Sequence, residues 1–239
     1  MSRNLVIIPT YNEIENIRKI TDRVLALEDG FDILVIDDGS PDGTAAAVEE
    51  MMESCSERLH LIRRPGKLGL GTAYLAGFRW ALDHGYDYIF EMDADFSHDP
   101  DDLPRLLDKC RNGADVVIGS RYCDGVSVVN WPIGRILMSY YASVYTRTVL
   151  GLPINDWTAG YVCYKADVLR TIDLDKVEMK GYGFQIEMKY TAAKLGFKVA
   201  ELPVIFVNRK EGTSKMSSGI FGEAFTGVVR LRFRKFSKA

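Results

Sequence analysis

Apolar residues along this chain fall into short runs, separated by segments in which they return every three or four positions. LVIIP from Leu5, DILVID from Asp32, RLHLI from Arg58, YIFEMD from Tyr88 and DVVIG from Asp115 predict strands. Between them IENIRKITDRVLAL, TAAAVEEMMESC and GTAYLAGFRWALDHG carry the helical period. Strand and helix alternate at roughly 25–30-residue intervals, which predicts right-handed βαβ units and an α/β fold with a mostly parallel central sheet. Strands this apolar on both faces require helices on both sides of the sheet. Past Tyr122 the alternation changes. CDGVSVVNWPIG predicts a flexible loop, followed by a helix to about Leu150 and a strand-like TAGYVCYK. A helix over GFQIEMKYTAAKLG, a strand over VAELPVIFV, a basic Gly/Ser-rich loop RKEGTSKMSSG and a final helix complete the pattern.

Local chemistry marks three helix starts. Asn12 with Glu15 forms an N-x-x-E variant of the capping box. Ser40-Pro41 and Asp99-Pro100 each place a capping residue before a proline at the first helical position.

Composition narrows the class. With 239 residues, 47% hydrophobic and 26% charged, the chain is expected to bury a core without disulfides. A net charge of −3 gives no global attraction to nucleic acid, so none is expected as partner, and any polyanion must meet a local Arg/Lys cluster. Cys55, Cys110, Cys123 and Cys163 form no CxxC pair, which argues against zinc and fits a reducing compartment. MSRNLVIIPTYNE lacks the pattern of a secretory signal, and the longest apolar candidate, Pro132 to Leu152, is interrupted by Arg135 and Arg147. The expectation is a soluble, cytosol-facing, single-domain chain.

Ligands of an open parallel sheet bind beyond the carboxyl ends of its strands. Pro9 to Glu13, Asp37-Asp38-Gly39-Ser40, Asp93-Ala94-Asp95 and Gly119-Ser120-Arg121 follow strands one, two, four and five. Carboxylate-bearing turns on one edge repel each other without a cation, and oxygen ligands of this kind suit Mg²⁺ or Mn²⁺. Strand geometry would point Asp93 and Asp95 the same way, over a small Ala94. An isolated DxD is more often solvated acid than a site, but its position beside Asp37-Asp38 reverses that balance. Asp99, Asp101 and Asp102 read as a helix start in the favourable field of the dipole. His98 is open between a turn residue and a site residue. RPGKLGLGTAYLAG matches neither a P-loop nor a dinucleotide fingerprint, so it predicts a tight turn, with Lys67 near phosphate or simply solvated. Cations for a diphosphate are sought in Arg121, at a strand end, and in Arg209 and Lys215 of the Gly/Ser loop.

VIIPTYNE, VIDDGSPDGT, GLGTA, MDADFSHDP, VIGSRY, NDWTAGYVCYK, GYGFQIEM and EGTSKMS occur in this order across nearly the whole chain. Together they resemble the dolichol-phosphate (polyprenol-phosphate) mannosyltransferases of glycosyltransferase family 2. The resemblance implies a GT-A, Rossmann-like fold over residues 1–216 and inverting transfer of mannose from GDP-mannose to a polyprenyl (dolichyl) monophosphate. It implies that Pro9, Tyr11, Glu13, Ile36 and Asp38 line the nucleoside pocket, and that Asp93, Ala94 and Asp95 lie along the sugar-diphosphate. Asp95 and the Ser97 position would be ligands of Mg²⁺ or Mn²⁺. Asp93, Asp95 and Arg121 would be the catalytic group, with Arg121, Arg135, Arg209 and Lys215 on donor or acceptor phosphates. Some relatives carry Gln where this chain has Ser97.

A phosphate acceptor with a second pKa of about 6 is already a nucleophile at neutral pH. A hydroxyl acceptor needs a base. Asp156 is the candidate for that, or else it orients its turn. Residues 217–239 predict an amphipathic basic helix with Ile220, Phe221, Ala224, Phe225, Val228 and Val229 on one stripe and cations crowding its end. It either packs on the domain or lies at a membrane interface. The expected location is peripheral, on the cytosolic face of the endoplasmic reticulum in a eukaryote or of the plasma membrane in a prokaryote, directly or through a small membrane-anchoring subunit. The competing expectations are a UDP-glucose-dependent polyprenyl-phosphate glucosyltransferase, another family 2 transferase, or a non-catalytic sugar-nucleotide-binding module.

Overall fold

The computed structural model describes residues 2–55, 57–208 and 220–236. The first half runs β1 (Asn4–Thr10), α1 (Ile17–Leu25), β2 (Phe31–Asp37), α2 (Thr44–Cys55), β3 (Leu59–Arg63), α3 (Leu70–Asp83) and β4 (Tyr88–Glu91). A 3₁₀ turn (Pro100–Asp102) leads into α4 (Leu103–Arg111), β5 (Val116–Ser120), β6 (Val128–Val129) and α5 (Ile133–Leu150). Then come β7 (Val162–Lys165), α6 (Ala166–Thr171), α7 (Tyr182–Lys194), β8 (Val199–Pro203), β9 (Phe206–Val207) and α8 (Ile220–Phe233).

Seven strands form one sheet in the order β3-β2-β1-β4-β7-β5-β8, and β6 pairs with β9 apart from it. All pairings are parallel except those of β7, which runs antiparallel to both β4 and β5. The expected mostly parallel sheet is present. Because β7 runs backwards, the loop that enters it arrives at the edge where β4 and β5 end.

Alternation along the strands divides the core in two. Leu5, Ile7, Leu34 and Ile36 pack with Tyr74 and Phe78 of α3 and Phe184 of α7. Val6, Ile8, Ile33 and Val35 pack with Ile17, Ile20 and Val24 of α1, Val48 of α2 and Leu106 of α4. Both faces are therefore covered, as the apolar strands require.

Two of the three expected helix starts move. α1 begins after Asn16, while Asn12 sits at φ 56° and its amide donates to Ser40 Oγ (2.9 Å). α2 begins at Thr44 because the Ser40 hydroxyl is bonded to Asp37 (2.5 Å), and Asp42 receives the Thr44 amide (3.0 Å) in its place. Asp99 does cap its helical turn, accepting from the Asp101 amide at 3.0 Å ahead of Pro100.

The expected apolar stripe of α8 divides. Val228 and Leu231 are buried in the core, whereas Phe225, Val229 and Phe233 are exposed. The side chains of Ile220, Phe221 and Ala224 lie outside the described residues. Arg234 ties the helix end to buried Glu187 of α7. Among the described residues no helix is long and apolar enough to cross a membrane.

Candidate active site

The ends of β1 and β2 are knotted by Asp37. Its carboxylate accepts from Thr10 Oγ1 (3.0 Å) and from the Ser40 hydroxyl and amide (2.5 and 2.9 Å), so Asp37 shapes the turn. Asp38 is held differently, by Arg64, whose Nε and Nη2 approach Asp38 Oδ1 at 2.6 and 2.5 Å. Arg64 also reaches Thr72 Oγ1 at 2.8 Å, which joins the two loops. Gly39 makes the crossing possible: at φ +69° its missing β-carbon would lie 3.3 Å from the Gly66 α-carbon. Pro9 and Ile36 are register partners across β1 and β2. The Ile36 side chain is buried against Gly77 of α3, so a ligand at this edge meets only its main chain. Glu13 receives the Asn16 side chain (3.1 Å), and Lys67 stands 5.3 Å above the Tyr11 ring.

β4 stops at Glu91, so Asp93 and Asp95 lie in a turn beyond the strand and two-residue alternation does not orient them. The chain reverses through Phe96 at φ +58°. Asp95 is buried and accepts the Ser97 amide at 3.1 Å, while Asp93 is half-buried. Ala94, between them in sequence, is buried. His98 is the anchor of the turn. Its Nδ1 faces the Asp93 amide at 3.2 Å, its ring stacks on Tyr161 at 4.7 Å, and Phe206 meets its edge. Burial chiefly, with Arg121 adding, drives its pKa down to about 4 against the pull of Asp95, so the ring is neutral and its Nδ1 accepts.

The Ser97 hydroxyl oxygen is buried and has no hydrogen-bond partner among the described residues. A buried oxygen without a partner beside a buried carboxylate fits an ion ligand. Among the described residues no group of three His, Cys, Asp or Glu could hold a metal by itself. Asp95 and Ser97 thus fit a cation that draws its other ligands from phosphate and water, the usual habit of Mg²⁺.

Arg121 leaves the end of β5 and is buried against Asp156, in the loop entering β7. Nε and Nη2 donate to the two carboxylate oxygens at 2.7 and 2.6 Å, the Arg121 amide donates at 2.9 Å, and Nη2 also reaches Thr158 Oγ1 at 2.8 Å. Burial pushes the Asp156 pKa upward, but the attraction and hydrogen bonds of Arg121 outweigh it and hold the carboxyl below its ordinary value. Asp156 is fully buried and both its carboxylate oxygens are taken up by Arg121, an arrangement that orients the guanidinium.

The Arg121 guanidinium faces Trp131 at 5.5 Å and Phe206 at 5.6 Å, and Arg135 lies 3.9 Å over the same Trp131. Phe206 therefore faces both the acid turn, through His98, and Arg121. Arg135 Nη1 donates to Asn208 Oδ1 at 3.0 Å. Arg209 and Lys215 lie outside the described residues.

Sequence reasoning missed the layer below. Buried Glu91 accepts from Gln185 Nε2 at 2.6 Å, and burial raises its pKa to about 8, with Gln185 and Lys189 opposing. Gln185 and Lys189 are buried residues four apart on α7, a polar repeat inside a helix enclosed by apolar neighbours. That repeat was the available signal.

An open, mostly parallel sheet with acid and arginine turns on its carboxyl edge is the GT-A arrangement. Residues 5–172 match the model of "Glycosyl transferase family 2", and the chain belongs to this family and is a glycosyltransferase. A Micrococcus luteus protein named undecaprenyl-phosphate mannosyltransferase is 50% identical over 228 residues, 95% of this chain and 93% of its own. A Mycolicibacterium smegmatis protein named polyprenol monophosphomannose synthase is 49% identical over 232 residues, 97% and 88% of the two chains. These relatives bear out the resemblance carried by the motifs. Glucosyl-3-phosphoglycerate synthase from Mycobacterium tuberculosis shares the fold, with TM-score 0.67 and 19% identity over 95% of this chain and 80% of that one.

Proposed function

We propose that this chain transfers mannose from GDP-mannose to a polyprenyl monophosphate with inversion, using Mg²⁺ or Mn²⁺. The observation that carries this reading is the commitment of Asp156 to Arg121. The carboxylate best placed to be a base is an ion-pair partner instead. A site of cations without that base suits an acceptor that is already ionised, as a phosphate monoester is above its second pKa of about 6. The names of the two relatives support the same acceptor and sugar.

Pro9, Tyr11, Glu13, the Ile36 main chain and Asp38 would hold the nucleoside, with Asp38 oriented by Arg64. Asp93, Ala94 and Asp95 would follow the diphosphate. A divalent cation on Asp95 and Ser97 would supply charge neutralisation for the leaving group. Arg121 and Arg135 would bring the two anionic substrates together, joined by Arg209 and Lys215 as the family motif implies. An acceptor phosphate oxygen attacks the anomeric carbon while the bond from that carbon to the donor phosphate oxygen breaks. GDP leaves with the electron pair and the configuration inverts.

The test is labelled GDP-mannose or UDP-glucose with polyprenyl phosphate, with and without chelator. Lipid-linked mannose is expected, lost in chelator and restored by Mg²⁺ or Mn²⁺. Product from UDP-glucose alone would replace the donor, and no lipid product from either would remove the reading. Undiminished turnover in chelator would take the metal role from Asp95 and Ser97.

A lipid acceptor has to be reached at a membrane. Ile133, Leu137 and Tyr141 project at four-residue spacing from α5 and are exposed, and the next residue in that row, Tyr145, stacks on Phe225 of α8 at 4.3 Å. Phe225, Val229 and Phe233 continue the exposed row along α8. α5 contains no Asp or Glu, and neither does the chain after Glu223, where Arg230, Arg232, Arg234, Lys235 and Lys238 fall. This apolar ridge, with the acid-free stretch of α8 after Glu223 as its basic half, is matched to an anionic bilayer surface and would hold the enzyme peripherally at the cytosolic face. The triple variant L137Q/Y141Q/F233Q is expected to bind phosphatidylglycerol vesicles at least about tenfold more weakly, since three apolar side chains that would enter the interface are lost. Its turnover of a short soluble acceptor should stay within twofold. Equal losses in both assays would count against the ridge.

A further inference from the structure

Lys189 is wholly buried on α7, and no carboxylate among the described residues lies within ion-pair distance of it. Its Nζ donates instead to main-chain carbonyls of one turn, those of Ala159 (2.6 Å), Trp157 (3.0 Å) and Asp156 (3.4 Å). An ammonium has three donors, and here one short turn receives them all. The outward side of that turn holds Arg121, through the Asp156 carboxylate and the Thr158 hydroxyl. From β8, Glu201 accepts the amides of Asn155 and Asp156, both at 2.9 Å. The turn is thus gripped by an anion on its amides and a cation on its carbonyls, with Arg121 as the group it presents.

We propose that Lys189 is a positioning residue for glycosyl transfer, its ammonium fixing the 156–159 turn so that Asp156 and Thr158 hold Arg121 toward the substrate phosphates. This rests on the reading of Arg121 given under Proposed function. Removing the ammonium leaves inward carbonyls without donors, and the turn then relaxes to find others. The carboxylate that orients Arg121 moves with it.

The groups that act on Lys189 are Asp156 in the turn, Glu91 on β4 and Glu201 on β8, which favour the ammonium, and Arg121 from β5, which opposes it. Burial is the largest influence and brings its pKa down to about 8. The ammonium is therefore present at neutral pH and lost as pH rises through that value, so kcat should fall on the alkaline side. The ionisation of the acceptor phosphate would govern the acid side.

The experiment compares wild type with Lys189→Met, Lys189→Gln and Lys189→Arg. It reads kcat and donor KM from pH 6 to 10, together with hydrogen exchange of the 155–160 amides. Lys189→Met is expected to lower kcat at least about 100-fold with donor KM within threefold, to abolish the alkaline limb and to speed exchange of those amides at least tenfold. Lys189→Arg, charged at every pH used, should recover part of kcat with the limb shifted upward. Lys189→Gln provides the neutral variant if Lys189→Met does not fold. A neutral variant with kcat, limb and exchange all within twofold of wild type overturns the proposal, as does unchanged exchange alone. If wild type itself transfers no mannose, the proposed function fails, while the exchange measurement still decides whether Lys189 fixes the turn.

Discussion

Asp95→Ala is expected to lower mannosyl transfer at least about 100-fold, the scale of losing one electrostatic stabiliser of a transition state. The fold should survive. Asp95 accepts the Ser97 amide, a bond between neighbours in sequence, and it lies in a turn outside the sheet. The loss should appear in kcat more than in donor KM, because charge on the leaving diphosphate grows toward the transition state. Asp95→Asn separates geometry from charge: it can still accept the Ser97 amide, yet it offers a cation no anion. Both variants should lose tight Mn²⁺ binding measured directly by titration in the presence of nucleotide. A variant that keeps more than a tenth of wild-type transfer would show that Asp95 does not meet the cation or the diphosphate.

Asp156→Ala should damage stability and activity together. It strands the buried Arg121 guanidinium, and breaking a buried pair in this way costs about 3–5 kcal/mol. For a chain of this size that corresponds to a fall of roughly 6–20 °C in melting temperature. The pH dependence follows from the lowered pKa of Asp156. Its folded value lies below the unfolded one of about 3.9, so its stabilisation is complete at neutral pH and is lost as pH falls through the folded value. Urea unfolding at pH 7 and pH 3 should therefore show the wild-type advantage over Asp156→Ala shrinking in acid. Asp156→Asn distinguishes the two roles this residue was given. A base replaced by amide would lose transfer at unchanged stability, whereas an orienting partner loses both. Unchanged stability in Asp156→Asn would return Asp156 to the role of base.

The legible parts of the fold were those in which neighbours in sequence decide the outcome. β1 to β5 follow the apolar runs closely because a strand enclosed by helices has no polar face to blur the pattern. Asp99 was legible as a cap because its partner, the Asp101 amide, is two residues away. Ser40-Pro41 has the same local form but failed, since Asp37 sits close enough to claim the hydroxyl first. A period-two pattern identifies β7 as a strand and says nothing of its neighbours, so its antiparallel place between β4 and β5 could not be read. The turn holding Asp93 and Asp95 begins sooner than the apolar run suggests, and strand alternation misdescribed it. Arg121 was legible as a strand-end cation, but its pairing with Asp156 spans 35 residues and no periodicity reports it. Lys189 was hidden for a similar reason, its carbonyl partners lying 30 to 33 residues away.

The reversed strand β7 also sets an order of events. A ribosome that has released residues 1–150 has made β1 to β5, the acid turn and Arg121, but not the loop that returns between β4 and β5. Gln185, which meets Glu91 across 94 positions, comes later still. Contacts this distant in sequence close late and slowly. The β1–β3 half can thus be complete in outline while the half that carries Arg121 has no partner strand to rest on. A nascent or truncated chain is a half-built sheet with an open edge where β7 belongs, and sugar transfer is withheld until nearly the whole polypeptide has been made.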